Sequence, residues 1–218
     1  MPIVSTVSAG LPVDEEWAGK LKRTAIVKRP VQGVVAVHSL GLAGDRVADT
    51  KNHGGPDKAV YVFAREDLDW WAEELGRPLP DGLFGENLTT CGIDVNDALV
   101  GERWRIGTAL FEVASIRIPC SVFSSWMGLS GYDNARWIRR FTAVGRPGPY
   151  LRVLEEGELA AGDEVVVEHR PDHGVTVSTM FRASTTNLEL LPELLAVEGL
   201  VAEARARAEA YVARVPVR

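Results

Sequence analysis
Cys120 is the residue with the most chemistry to offer. It ends the run Ser115-Ile116-Arg117-Ile118-Pro119-Cys120, directly after an alternating apolar stretch that predicts a strand. Proline fixes its own φ and restricts the residue before it, so the turn that presents the thiol should be stiff. Arg117 lies just upstream and supplies positive charge. A nearby cation favours thiolate over thiol, and the thiolate is both the metal ligand and the nucleophile. The competing reading is a small buried hydrophobe, a common fate of free cysteine. Cys91, in Thr89-Thr90-Cys91-Gly92, has neither the proline nor a neighbouring cation and reads as a structural thiol.

A second group of reactive side chains precedes a strand. Gly44-Asp45-Arg46-Val47-Ala48-Asp49 is followed by His53-Gly54-Gly55-Pro56-Asp57-Lys58. Gly54 and Gly55 lack a Cβ, so backbone there can approach a ligand closely, and successive N–H groups can form an anion-binding nest. Lys58 offers a point charge suited to phosphate. Histidine titrates near neutrality, which suits His53 to proton delivery, with Asp45 or Asp49 as relay. Each of these residues alone is equally explained by a polar turn, with the aspartates closing Asx-type turns. The segment Gly82-Leu83-Phe84-Gly85-Glu86-Asn87-Leu88-Thr89 adds Gly85 and an acid–amide pair. The Asn87 side chain can donate and accept, as the edge of a heterocycle would require, or simply enter a strand.

The elements that must position these groups are mostly short strands. Thr24–Lys28, Gly33–Val37 and Ala59–Phe63 read as strands, and Arg103–Ile106 with Ala109–Val113 as a hairpin across Gly107-Thr108. Tyr150–Leu154 and Asp163–Glu168 should flank a turn at Glu156-Gly157. Many short strands at this spacing predict a barrel or sandwich. Leu68, Trp71, Ala72 and Leu75 recur at helical spacing up to Gly76, and a second helix is expected through Trp137, Ile138 and Phe141, capped by Asp133 or Asn134. After a linker at His169–Gly174, Leu188, Leu191, Leu194 and Leu195, then Val201, Ala204, Ala208 and Tyr211, mark a helical tail. That tail is too short to bury a core of its own, so it should pack on the sheet or on a partner subunit, as in a homodimer.

The bulk properties exclude several functions. The chain has 218 residues, 46% hydrophobic and 25% charged, enough for one full core. A net charge of −6 argues against binding polymeric nucleic acid. Lys20, Lys22, Arg23, Lys28 and Arg29 nonetheless crowd one early segment, either a solvated face or a local anion site. Two cysteines make no disulfide framework or zinc pair, and no apolar run is long enough for a membrane span or a secretory signal. A reducing cytoplasm is the expected location, with no membrane partner.

Five stretches, in order, resemble the MOSC domain family, specifically its YiiM-type branch. They are Arg23–Val31, Gly44–Asp49, His53–Val60, Phe84–Thr89 and Arg117–Cys120. The resemblance implies a mainly β chain, a largely antiparallel β-barrel with a few inserted helices at residues 1–170, followed by a small helical extension at 175–218. It implies a molybdenum cofactor, with Cys120 as the protein ligand to the metal. At the level of the domain it also carries an expectation of pyridoxal phosphate binding. Lys28, Lys58 and Arg117 are then candidates to neutralise the anionic pterin phosphate, and Asn87 with backbone at Gly54, Gly55 and Gly85 to hold the ring. The implied activity is reduction of N-hydroxylated compounds, including hydroxylaminopurines, with Cys120, His53 and Asp45 as catalytic residues. The chain has no dinucleotide fingerprint, P-loop or iron–sulfur cysteine set, so electrons are expected from a separate reductase or carrier protein.

Three other functions compete. Cys120 could carry a persulfide as a sulfur donor for metal–sulfur cluster or cofactor assembly. It could act with His53 as a cysteine hydrolase, although no oxyanion-hole motif supports this. The chain could also be a non-enzymatic module that assembles through its tail.

Overall fold
The apolar run Ala109–Ile116 becomes the longest strand, and all its residues except Glu112 are buried. Burial on both faces marks a central strand with layers on either side. The computed structural model describes residues 1–50 and 53–214. In chain order the strands are β1 (Ile3–Ala9), β2 (Val13–Asp14), β3 (Arg23–Thr24), β4 (Arg29–Pro30), β5 (Val35–His38), β6 (Gly41–Leu42) and β7 (Val60–Ala64). They continue as β8 (Leu88–Cys91), β9 (Arg103–Ile106), β10 (Ala109–Ile116), β11 (Pro149–Glu155), β12 (Gly157–Leu159) and β13 (Val165–His169). The helices are α1 (Arg65–Leu75), α2 (Ser121–Leu129), α3 (Trp137–Val144), α4 (Val177–Thr185) and α5 (Ala202–Val212).

Eight strands form the main sheet in the order β13-β9-β10-β11-β7-β8-β1-β4. Its pairings are antiparallel except for β7 and β8, which run parallel. A parallel neighbour needs a crossover, and α1 supplies it between those two strands. A closed barrel, the expected form, is not found. Among the described residues the ladder stays open, and β1 reaches the start of β13 only through an isolated bridge between Ile3 and Glu164. Two small sheets, β12-β5-β6 and β2-β3, complete the β structure.

The hairpin across Gly107-Thr108 forms as expected, with Ala109 opposite Ile106. α1 ends at Gly76 in the left-handed region, as the sequence indicates. Four expectations need correction. The strand expected over Thr24–Lys28 is broken, because only Arg23–Thr24 and Arg29–Pro30 pair, and the backbone between them lines a cavity instead. Glu156-Gly157 is not a simple turn, since Gly157–Leu159 leaves the main sheet to pair with β5. α3 is preceded by Arg136 in the left-handed region, while Asp133 accepts from the Ala135 N–H rather than capping the helix. Leu188–Ala196 coils as a three-ten helix, with Pro192 inside it unable to donate an α-helical hydrogen bond.

Behind the sheet end sits an aromatic core. Phe63, Phe84, Trp71, Phe123, Trp137 and Phe141 are fully buried, with neighbouring ring centroids 4.8–6.5 Å apart. Such contacts add directional preference to apolar burial and fix where α1, α2 and α3 dock. α4 joins this core through Phe181, which packs edge-on against Phe141, and Ser178 Oγ donates to the Gly145 carbonyl at 2.9 Å.

Candidate active site
Strand direction brings the reactive segments to one place. β10 ends at Ile116 where β11 begins, with Ile116 opposite Pro149 and Ser115 opposite Tyr150. β11 in turn places Tyr150 opposite Tyr61 at the start of β7. β8 starts beside β7, just after Gly85-Glu86-Asn87. A cavity of about 640 Å³ opens at this end of the sheet. Cys120, Arg117, His53, Lys58, Lys28, Asp45, Asn87 and Gly85 all line it. So do Lys20, from the basic segment that offered a local anion site, and Tyr61, Tyr150, Thr24 and Glu203, none of which the sequence alone points to as site residues. Tyr61 directly follows the His53–Val60 segment, and Tyr150 reaches it only through the pairing of β11 with β7. Glu203 comes from the first turn of α5, in the tail.

Cys120 is a free thiol at the N-cap position of α2, in extended backbone geometry. The sequence analysis misses this helix, although Val122, Phe123, Trp126 and Met127 carry its periodicity. Burial alone would push the thiol up. The His53 side chain hydrogen-bonded to it, the Arg117 guanidinium and the Phe123 backbone N–H together outweigh burial and bring it from the usual 9.0 down to about 7. Cys91 shows the opposite behaviour, because the Glu66 carboxylate beside it pushes its thiol up. The two cysteines thus shift in opposite directions.

Arg117 is 5% exposed and held by the fold rather than by a carboxylate. Its Nη1 donates to the Phe84 carbonyl at 2.8 Å, and its guanidinium carbon lies 4.0 Å from the Phe123 ring centroid and 5.1 Å from that of Tyr61. Aromatic faces attract the cation without neutralising it. Its Nε is sealed from solvent and has no hydrogen-bond partner. Positive charge is thus preorganised behind the sulfur.

Other candidate residues are placed with more definite duties. Lys28 Nζ meets Asp45 Oδ1 at 2.5 Å, with both side chains 6% exposed, and the same oxygen accepts from the Gly10 N–H. Asp45 is therefore engaged in a buried pair. Asn87 Oδ1 accepts from the Tyr61 N–H at 3.1 Å and its amide donates to the Ser8 carbonyl at 3.3 Å, tying β7 to β1. One amide hydrogen remains for a ligand. Glu86 is fully buried, accepts from the Gly82 N–H at 2.6 Å, and burial pushes its carboxyl up. Gly85 has φ +81, and an added Cβ would meet the Ile26 side chain at 3.1 Å. Gly54 and Gly55 do not line the cavity. A Cβ on Gly54 would collide with Val47 and Thr50, whereas Gly55, at φ +97, starts the three-ten turn Pro56–Lys58. The diglycine thus shapes the loop that carries His53 and Lys58.

The tyrosines differ in how their hydroxyls are used. Tyr61 donates to the Pro147 carbonyl at 2.7 Å. Tyr150, 9% exposed, packs tilted against Tyr61 with ring centroids 5.1 Å apart, and burial pushes its phenol up, partly countered by Arg117 and reinforced by Cys120.

A family model of the MOSC domain matches residues 49–166, which includes the His53 loop and Cys120. The chain belongs to the MOSC domain family. Its similarity to a solved structure, YiiM from Geobacillus stearothermophilus, has a TM-score of 0.77 at 26% identity, over 96% of this chain and 98% of that one. It is thus a MOSC protein of the YiiM type. The uncharacterized protein YflK of Bacillus subtilis (strain 168) is 34% identical over 201 residues, 92% of this chain and 87% of its own. A protein named reductase from Gibberella moniliformis is 31% identical over 193 residues, 81% of this chain and 33% of its own. No described helix of this MOSC chain is long and apolar enough to cross a membrane.

Proposed function
We propose that this MOSC protein is a molybdenum-cofactor-dependent reductase of N-hydroxylated compounds, hydroxylaminopurines among them, with Cys120 as the protein ligand to the metal. The observation that carries this reading is the Cys120 sulfur itself: a thiol lowered to about 7, facing a cavity of about 640 Å³ whose walls also carry Arg117, Lys58 and Lys20. Among the described residues no three His, Cys, Asp or Glu side chains gather where they could hold a metal by themselves. A metal at Cys120 therefore has to arrive with most of its ligands, as one bound through an organic dithiolene does. A soft thiolate suits such a metal, and the cations suit an anionic cofactor.

When bound, the group supplies a centre that accepts oxygen and exchanges electrons. The chain's residues do the rest. Cys120 anchors the group, and Arg117 and Lys58 balance its negative charge. Removing one oxygen consumes two electrons and two protons, and His53, hydrogen-bonded to the sulfur, is placed to hold a proton at the reacting end of the cavity. Asp45 acts through Lys28 by fixing its position. Electrons come from a separate reductase or carrier protein in a reducing cytoplasm. The similarity to a protein named reductase supports the oxidoreductase class.

The test is metal content. Protein produced with ample cofactor should carry molybdenum, Cys120→Ser should lose both the metal and turnover of a hydroxylaminopurine, and Cys91→Ser should keep both. Normal molybdenum in Cys120→Ser would refute the ligation. Metal-poor wild-type protein with cyanide-releasable sulfur on Cys120 would instead establish a persulfide carrier.

A further inference from the structure
Tyr150 is a buried polar side chain that the proposed reaction has not used. It lies at the start of β11, opposite Ser115 of β10 and Tyr61 of β7, where β10 runs out toward Cys120. It lines the Cys120 cavity and is 9% exposed. Its ring is fixed against Tyr61 at 5.1 Å. No described residue donates to or accepts from its hydroxyl, whereas the Tyr61 hydroxyl is taken by Pro147. Arg117 and Cys120 line the same cavity. The hydroxyl is not sealed in the core but open to the cavity, so a ligand there can take its hydrogen bond.

We propose that the Tyr150 hydroxyl donates a hydrogen bond to the N–O oxygen of a substrate bound beside Cys120, and so selects hydroxylated over plain amines. The inference rests on the reductase reading above. The cations of the cavity suit anionic groups, but an N-hydroxyl is neutral, and a neutral, rigidly held O–H donor matches it. A site built to hydrogen-bond a substrate oxygen discriminates against the analogue that lacks it, because the donor is then left unpaired. Tyr150 makes no covalent bond in this scheme and loses no proton. It holds the oxygen that departs.

The experiment uses cofactor-loaded wild-type protein and Tyr150→Phe, a change that keeps the ring packing on Tyr61. Molybdenum per chain is measured first. Binding of 6-hydroxylaminopurine and of adenine is then measured by calorimetry with no electron donor present, so that no turnover occurs. Tyr150→Phe should retain the metal, weaken 6-hydroxylaminopurine about tenfold, and change adenine binding less than about twofold. Equal weakening of both ligands, or of neither, overturns the proposal and leaves the reductase reading intact. Loss of molybdenum in Tyr150→Phe alone also overturns it, because the hydroxyl then serves the cofactor. Wild-type protein that carries no molybdenum overturns the reductase reading and this proposal together, and that result appears before any ligand is added.

Discussion

Replacing His53 by alanine tests the electrostatics of the site most directly. In the metal-free protein burial raises the Cys120 thiol, while His53 first, then Arg117 and the Phe123 amide, bring it to about 7 from the ordinary 9.0. A hydrogen bond to a charged group is worth about 1.5–3 kcal/mol, and one pH unit corresponds to about 1.4 kcal/mol, so the midpoint should rise by roughly one to two units. The assay is the pH profile of Cys120 alkylation by iodoacetamide in a Cys91→Ser background, with thiolate absorbance as a second measure. The rate at one pH would mislead, because a more basic thiolate is also a better nucleophile and offsets part of its lower population. The midpoint is free of that compensation. A stability signature accompanies it. A thiol held low in the fold stabilises the protein above its ordinary range, and that contribution is lost as pH falls through about 7. In His53→Ala the contribution should be smaller and its loss complete at higher pH. A wild-type midpoint in the ordinary thiol range, or a His53→Ala midpoint unchanged from wild type, would refute the reasoning.

Two further substitutions separate ligand contacts from structural duties. Lys58→Glu reverses a charge on the cavity wall and should lower cofactor loading by roughly tenfold or more in protein that still folds; equal molybdenum content would remove Lys58 from the site. Asn87→Ala strips the bonds to the Tyr61 N–H and the Ser8 carbonyl and should cost about 2–4 kcal/mol in urea unfolding, whereas an unchanged midpoint would mean that these bonds are dispensable.

What the sequence reveals depends on how far apart the cooperating residues lie. The hairpin at Gly107-Thr108 and the end of α1 at Gly76 are local events, settled by glycine and by periodicity, and both form as expected. The Cys120–Arg117 partnership is equally local, with both residues on one short braced segment. β12 is not legible in this way, because its partner β5 lies more than a hundred residues upstream and nothing near Gly157 points to it. The break in Thr24–Lys28 is also tertiary: Ala25, Ile26 and Lys28, in a run of strand-like composition, give up pairing to wall a cavity. Tyr150 escapes notice for the same reason. On sequence it is one more aromatic residue in a strand, and only its register against Tyr61 and Ser115 puts it at the end of the sheet where the cavity opens.

The position of Cys120 shows a conflict between stability and chemistry settled in favour of chemistry. The residue occupies the N-cap of α2, where serine, threonine, asparagine or aspartate would satisfy an orphan amide and stabilise the helix by about 1 kcal/mol. Cysteine makes no capping hydrogen bond there. It leaves the positive end of the helix directed at a sulfur, which lowers the thiol's pKa rather than strengthening the helix. The cost is tolerable because α2 is anchored elsewhere. Phe123 and Met127 are completely buried, and Trp126 Nε1 donates to the Leu83 carbonyl at 2.9 Å. The same Phe123 supports Arg117 at 4.0 Å, so one aromatic ring both pins the uncapped helix and orients the cation that acts on its first residue. The same ring thus compensates for the missing cap and holds the cation that, together with His53, keeps the buried thiol low.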